Sequence, residues 1–302
     1  MRSAPATSAS RDSTRAVLRD APIATWIGVG GRADALVEPA TEVDLLRAID
    51  GAEAGPIRVL GDGANLLVDD DGVDGLVIDT RRLNSVEWLE GGLVRAQAGA
   101  NLPRLITESV RRGLAGIEGL AGVPASLGGA IRMNAGGAFG EIAGAIESVR
   151  VRTPDGDIRS LRRDDIPFAY RRSGIEGVIL SADLRLTPAE HAPLRSRLKE
   201  VMAKKKASQP LAADSAGCAF KNPTVDGARQ PAGRLIDEAG CKGLRIGGAE
   251  VSDEHANFIF THDGATARDV LALMDAVAER VRERFGVELE REVVVWRRGD
   301  SA

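Results

Sequence analysis

The chain's only tyrosine stands beside two arginines in Phe168-Ala169-Tyr170-Arg171-Arg172-Ser173. A guanidinium fork suits a carboxylate or phosphate, so the run reads as an anion site or as a plain surface turn before Gly174. Further on, Ser215-Ala216-Gly217-Cys218-Ala219-Phe220-Lys221-Asn222-Pro223 sets one thiol among small and polar residues. A lone cysteine is either a weak acid in a site or a small buried filler. Glu292 immediately precedes the β-branched run Val293-Val294-Val295, which puts a carboxylate at a strand entry. Two glycine-rich loops complete the set. Gly61-Asp62-Gly63-Ala64-Asn65-Leu66 follows an apolar run, and Gly122-Val123-Pro124-Ala125-Ser126-Leu127-Gly128-Gly129-Ala130 leads to Met133-Asn134-Ala135-Gly136-Gly137. Of 35 glycines in 302 residues, ten fall between Gly113 and Gly144. Glycine costs folding entropy and fills no core, so a backbone pressed against a large ligand is the natural reason for such a run. Neither loop is a Walker A loop, since no Gly-Lys-Ser/Thr follows, and the dinucleotide fingerprint is absent.

Elements must hold these residues in place. A strand over Ala35–Glu38 precedes a helix N-capped by Thr41 with Asp44 at N3. Ile57–Leu60 and Leu76–Asp79 read as strands around the first glycine loop. Val86–Leu89 and Leu93–Gln97 flank Gly91-Gly92 as a hairpin, and Leu102–Arg112 is an amphipathic helix. The glycine-rich stretch itself lacks the apolar period of helix or strand. Val149–Arg152 and Ile158–Leu161 pair across Asp155-Gly156, and Val178–Leu186 is a strand. Leu194–Met202 is helical and runs into Lys204-Lys205-Lys206, read as a solvated helix end. Pro231–Ala239 and Thr266–Phe285 are helices, the second with a Thr266/Asp269 capping box and a stop at Gly286. Asn257–Phe260 and Arg291–Trp296 are strands. The fold class is α+β with mixed sheets.

Composition narrows the field. Hydrophobic residues make up 43% and charged residues 28%, enough for a sizeable core. A net charge of −4 draws neither nucleic acid nor anionic membrane in bulk. Cys218 and Cys241 form no CxxC pair, and with three histidines the expectation is no disulfide scaffold and no metal. No apolar run reaches membrane-spanning length. The N-terminus, rich in Ser, Thr and Ala, lacks the apolar region of a secretory signal, so a disordered tail over 1–20 and a cytoplasmic protein are expected.

Taken in order, Thr25-Trp26-x-Gly28-x-Gly30-Gly31, the two glycine loops, Tyr170-Arg171-x-Ser173, Gly217-Cys218-x-Phe220-Lys221-Asn222-Pro223 and Arg291-Glu292-Val293 resemble the UDP-N-acetylenolpyruvoylglucosamine reductases of bacterial peptidoglycan synthesis. The resemblance runs from about Pro22 to about Trp296. It implies FAD held non-covalently in two subdomains of the vanillyl-alcohol oxidase type, over 21–80 and 81–190. A substrate-binding domain would span 195–290, and a C-terminal strand within 292–302 would return to the first subdomain. No long tyrosine-bearing insertion separates Ser173 from Ser215, as in the shorter of the family's two types. NADPH would reduce the flavin, and UDP-N-acetylglucosamine enolpyruvate would then take hydride at C3 and a proton at C2, giving UDP-N-acetylmuramate. A monomer is expected.

The same resemblance distributes roles. Arg171 and Glu292 match the catalytic arginine and glutamate. Tyr170, Lys221, Asn222 and His255 fall where substrate is expected. Gly61, Gly63, Ala64, Asn65, Leu66, Gly122, Ser126, Gly128, Gly129 and Asn134 fall where FAD is expected. Two positions depart from the pattern. Ala64 replaces a serine whose hydroxyl would meet the FAD pyrophosphate, with Asp62 adding a negative charge nearby. Cys218 replaces the serine that serves as general acid. The rival readings are an alcohol- or sugar-oxidising flavoenzyme of the same fold and a binding protein that has lost its chemistry. No histidine near the glycine loops supports the first, and Arg171 with Glu292 weighs against the second.

Overall fold

The computed structural model describes residues 17–53, 55–210 and 214–300. Thr41 adopts extended backbone and its hydroxyl accepts the Asp44 amide at 3.1 Å, which starts helix α1 over Glu42–Asp50. That helix belongs to a four-stranded sheet ordered Leu18–Pro22, Arg32–Val37, Val73–Asp79, Ile57–Leu60. Its outer pair is antiparallel and the other two pairings are parallel.

A second, antiparallel sheet is ordered Ile158–Arg162, Ile146–Arg152, Val178–Arg185, Leu93–Gln97, Val86–Trp88. Helix α2, Leu102–Arg111, starts at Asn101, whose side chain accepts the Arg104 amide, and buries Leu102, Leu105, Ile106 and Val110. Leu102, Leu105 and Ile106 join Val94, Ala96, Val149 and Leu184 in one core.

A third unit carries the strands Arg245–Ile246, Ala249–Val251 and Ile259–Thr261 with helices α5, Ala232–Glu238, and α6, Ala267–Phe285. Its core packs Phe220, Ile236, Leu273, Val277 and Val281. The Thr266/Asp269 capping box opens α6, and Gly286, at φ +68°, closes it in the left-handed conformation that glycine takes without Cβ strain. The chain then returns. Val294–Trp296 pairs in parallel with Leu66–Val68, directly after the first glycine loop.

The structure corrects three expectations. Leu18–Pro22 is a strand, so the expected tail ends before residue 18, because pairing with Arg32–Val37 supplies the order that composition lacks. Residues 1–16 of that tail lie outside the described residues. The glycine-rich stretch contains helix α3, Leu127–Arg132, N-capped by Ser126 through the Gly129 amide. Only Leu127, Ala130 and Ile131 mark its buried side, too few positions for a periodic signal. Helix α4 extends over His191–Ser208, so the lysine run lies inside it. No helix among the described residues is long and apolar enough to cross a membrane.

Candidate active site

Arg171 sits on a tight turn. The Ala169 amide donates to Arg172 O at 2.8 Å and the Arg172 amide returns the bond to Ala169 O at 3.1 Å. Arg171 is forced to φ +57°, a conformation costly for a residue with a Cβ and commonest where function requires it. Asn134 supports the turn from below. It is buried, its Nδ2 donates to Ala169 O at 3.1 Å and to Glu141 Oε2 at 2.9 Å, and its Oδ1 accepts the Ala143 amide. The guanidinium is held by Nε donating to Glu292 Oε1 at 2.5 Å and Nη1 donating to Gly136 O at 2.9 Å. Nη2 has no hydrogen-bond partner among the described residues, which leaves a donor for an incoming anion.

Glu292 and Cys218 are placed by one small ladder. The Ala219 amide donates to Asn257 O at 2.7 Å, and Ala219 O accepts the Glu292 amide at 2.8 Å. Cys218 bridges Phe258, and the Lys221 amide donates to Glu290 O. Thiol and carboxylate therefore flank one peptide, fixed by backbone rather than by flexible side chains. Asn65 Nδ2 donates to Glu292 O at 3.1 Å and ties the first glycine loop to the same segment. Burial, reinforced by the Glu292 charge, pushes the Cys218 thiol up to about 12 against the pull of Arg171. Burial also raises Glu292, with Arg171 opposing.

These groups face a cleft of about 1150 Å³. Arg171, Cys218, Asn222, His255 and Glu292 line it. Burial lowers the His255 pKa, and its Nδ1 accepts the Asn257 amide at 3.3 Å, so the ring is a neutral acceptor there. Tyr170 and Lys221 stand outside the lining. The Tyr170 hydroxyl accepts the Asn222 amide at 3.3 Å, and Arg229 stacks on its ring at 3.8 Å. Lys221 pairs with Glu290 at 2.5 Å.

Of the residues read as cofactor-binding, Ala64, Asn65, Gly122 and Gly129 line the cleft. Gly61, Gly63, Leu66, Ser126, Gly128 and Asn134 do not line it. A Cβ on Gly61 would collide with Ser126 Oγ, so glycine there lets the two loops touch. Asp62 is absent from the lining, and burial raises its carboxyl pKa.

Gly136 and Gly137, part of the second glycine-rich stretch, continue the glycine wall. Two contributors escaped the sequence reading. Lys204 and Lys206 are exposed near the helix end as expected, but half-buried Lys205 turns into the cleft, which Lys204 also borders. Lys205 has no acidic partner among the described residues, and burial with the nearby Arg171 charge lowers it to about 8. The second, Asn257, is buried and its backbone carbonyl accepts the amide next to Cys218. A wall of glycine and alanine backbone suits a broad planar ligand, and the volume exceeds the ~300–1,000 Å³ of ordinary ligand pockets, leaving room for FAD and a second molecule.

Comparison with known proteins decides between the readings. Residues 209–296 match the family model of the UDP-N-acetylenolpyruvoylglucosamine reductase C-terminal domain, and residues 33–162 match an FAD binding domain. The UDP-N-acetylenolpyruvoylglucosamine reductase of Moorella thermoacetica is 40% identical over 290 residues, 94% of each chain. UDP-N-acetylenolpyruvoylglucosamine reductase 2 of Symbiobacterium thermophilum is 41% identical over 277 residues, 90% of this chain and 89% of that one. The chain belongs to the UDP-N-acetylenolpyruvoylglucosamine reductase family. The crystal structure of the Thermus caldophilus reductase superposes with a TM-score of 0.78 at 43% identity, covering 90% of this chain and 95% of that one. This family member is thus an FAD-dependent oxidoreductase of peptidoglycan synthesis, with an α+β fold that joins an FAD binding domain to a C-terminal domain of its family's own kind.

Proposed function

We propose that the enzyme uses NADPH to reduce UDP-N-acetylglucosamine enolpyruvate to UDP-N-acetylmuramate in the cytoplasm, with Arg171, Cys218 and Glu292 as the catalytic residues. The observation that carries this reading is the convergence of an anion-binding guanidinium, a carboxylate and a protonated thiol on one cleft with a backbone-rich wall. The loops at Ala64-Asn65, Gly122 and Gly129 would hold the flavin, with Gly61, Ser126 and Gly128 buttressing them. Bound FAD supplies the hydride for the enolpyruvyl C3.

Adding hydride at C3 drives charge onto the substrate carboxylate. Arg171, already fixed by Glu292 and Gly136 O, offers Nη2 to that enolate without reorganising. Cys218 stays protonated throughout the working pH range, which suits a donor that must wait for the enolate to form. Its S–H bond breaks as C2–H forms from the enolate electron pair, and water returns the proton to sulfur. Glu292 keeps Arg171 oriented and its charge discourages premature loss of the thiol proton. Asn222 and His255 are placed for polar groups of the substrate, and Lys205 for an anionic one. Tyr170 and Lys221 act by holding Asn222 and Glu290.

The test is stopped-flow absorbance on the purified holoenzyme, with NADPH added first and enolpyruvyl substrate second. Flavin colour should bleach and then return. Cys218→Ala should bleach normally and recover slower by at least ~100-fold, the scale of losing one group that acts in the transition state. Recovery at the native rate would leave Cys218 a buried filler.

A further inference from the structure

Asn257 uses every polar atom of its side chain on the segment that bears the thiol. Its Oδ1 accepts the Phe220 amide at 2.9 Å, and its Nδ2 donates to Phe220 O at 2.8 Å. The carboxamide also opposes the upward push that burial exerts on the Cys218 thiol. Its own carbonyl accepts the Ala219 amide at 2.7 Å. The residue is 2% exposed, so these bonds compete little with water. A plain core contact needs no such set, and an apolar side chain of similar volume would fill the space.

We propose that Asn257 is the positioning residue for proton delivery: its carboxamide locks the Phe220 peptide, aims the Cys218 S–H, and shares the charge left on sulfur after the proton has gone. The inference rests on Cys218 as the donor. When the S–H bond breaks and C2–H forms, the electron pair stays on sulfur in a buried pocket beside Glu292. Arg171 is committed at that moment to the substrate carboxylate. The Asn257 N–H is then the neutral donor at hand, and a neutral donor stabilises the thiolate without lowering the resting thiol as far as a cation would.

The experiment compares Asn257→Ala and Asn257→Asp holoenzymes by stopped flow, in light and heavy water. Asp retains the acceptor for the Phe220 amide, loses every N–H donor and adds a negative charge beside the thiol, so it should slow recovery at least as much as Ala if the donor supports the thiolate. Flavin bleaching by NADPH should stay within about twofold in both. Recovery with substrate should slow by about 10- to 100-fold, the worth of one hydrogen bond to a charged group, with a larger solvent isotope effect. In a Cys218→Ala background, adding Asn257→Ala should slow recovery no further, since both act on one step. Native recovery and isotope effect in both single variants would overturn the proposal, as would bleaching and recovery slowing in parallel. Fast recovery in Cys218→Ala alone would instead overturn the donor reading beneath it.

Discussion

At the scale of single residues, the site stores backbone strain where it needs a fixed charge. Arg171 occupies the left-handed region, where a Cβ costs about 1–2 kcal/mol. Asn134 holds the turn through Ala169 O and makes that conformation obligatory. A comparison of Arg171→Gly with Arg171→Ala isolates the strain, because both lose the guanidinium and the bond to Glu292. Glycine should be the more stable variant by about 1 kcal/mol in denaturant unfolding, the reverse of its order in ordinary helix or strand. Both should be equally slow in substrate-driven flavin recovery. Alanine proving the more stable would mean the turn relaxes when Arg171 is gone, and that Asn134 does not enforce it.

At the scale of elements, α4 carries the most informative departure from the sequence reading. Its apolar stripe at Leu194, Leu198 and Val201 ends before the lysine run, and the three lysines are alike in type, although Lys205 continues that stripe to the cleft while Lys206 stays exposed. Only the packing of α4 beside Gly122 reveals it. Free enzyme carries a charged Lys205 below about pH 8 and a neutral one above. With an anionic substrate, kcat/KM should therefore decline as pH rises through about 8, and Lys205→Met should remove that decline while lowering the plateau. Cys218, pushed up to about 12, is too weak an acid to produce it. A limb surviving in Lys205→Met would assign it elsewhere. The legible elements were those whose signals are local. The Thr41 and Thr266 caps, the Gly286 stop and the Ile158–Arg162 hairpin all depend on neighbours in sequence. The strand at Leu18–Pro22 forms by pairing with Arg32–Val37, and the helix at Leu127–Arg132 adds to its local cap two amides that donate to Ala100 O and Ala98 O, far away in sequence. The site divides the same way. Arg171, Cys218 and Glu292 stand in recognisable motifs, whereas Asn257 acts through backbone contacts that no spacing encodes.

At the scale of the whole molecule, the cleft is shared by residues from all three units, so its shape depends on how firmly the C-terminal unit is docked. Beyond the Val294–Trp296 pairing and the Arg171–Glu292 bond, two contacts tie down the strand Ile259–Thr261 and helix α6. Thr261 Oγ1 donates to Ile27 O at 2.6 Å, and the Asp70 carboxylate reaches across to the start of α6. Asp70 accepts the Ala267 and Arg268 amides at 2.8 and 2.9 Å, while Thr266 Oγ1 accepts the Asp269 amide at 3.1 Å. The first three amides of a 19-residue helix are thereby satisfied, two of them by a residue of another unit. A carboxylate there also meets the positive end of the helix dipole. Asp70→Ala should cost about 0.5–2 kcal/mol, as loss of a helix cap does. It should do so without touching any group in the cleft. KM for the enolpyruvyl substrate should rise as the C-terminal wall loosens, while retained flavin and the rate of flavin recovery at saturating substrate stay near native. Asp70→Asn, which keeps an acceptor but loses the charge, should fall between. Hydrogen exchange gives the deciding comparison: amides at 267–270 should exchange faster in Asp70→Ala, and those of Leu93–Gln97 should not. Native KM together with native exchange at α6 would show that the parallel pairing of Val294–Trp296 with Leu66–Val68 fixes the cleft without help from Asp70.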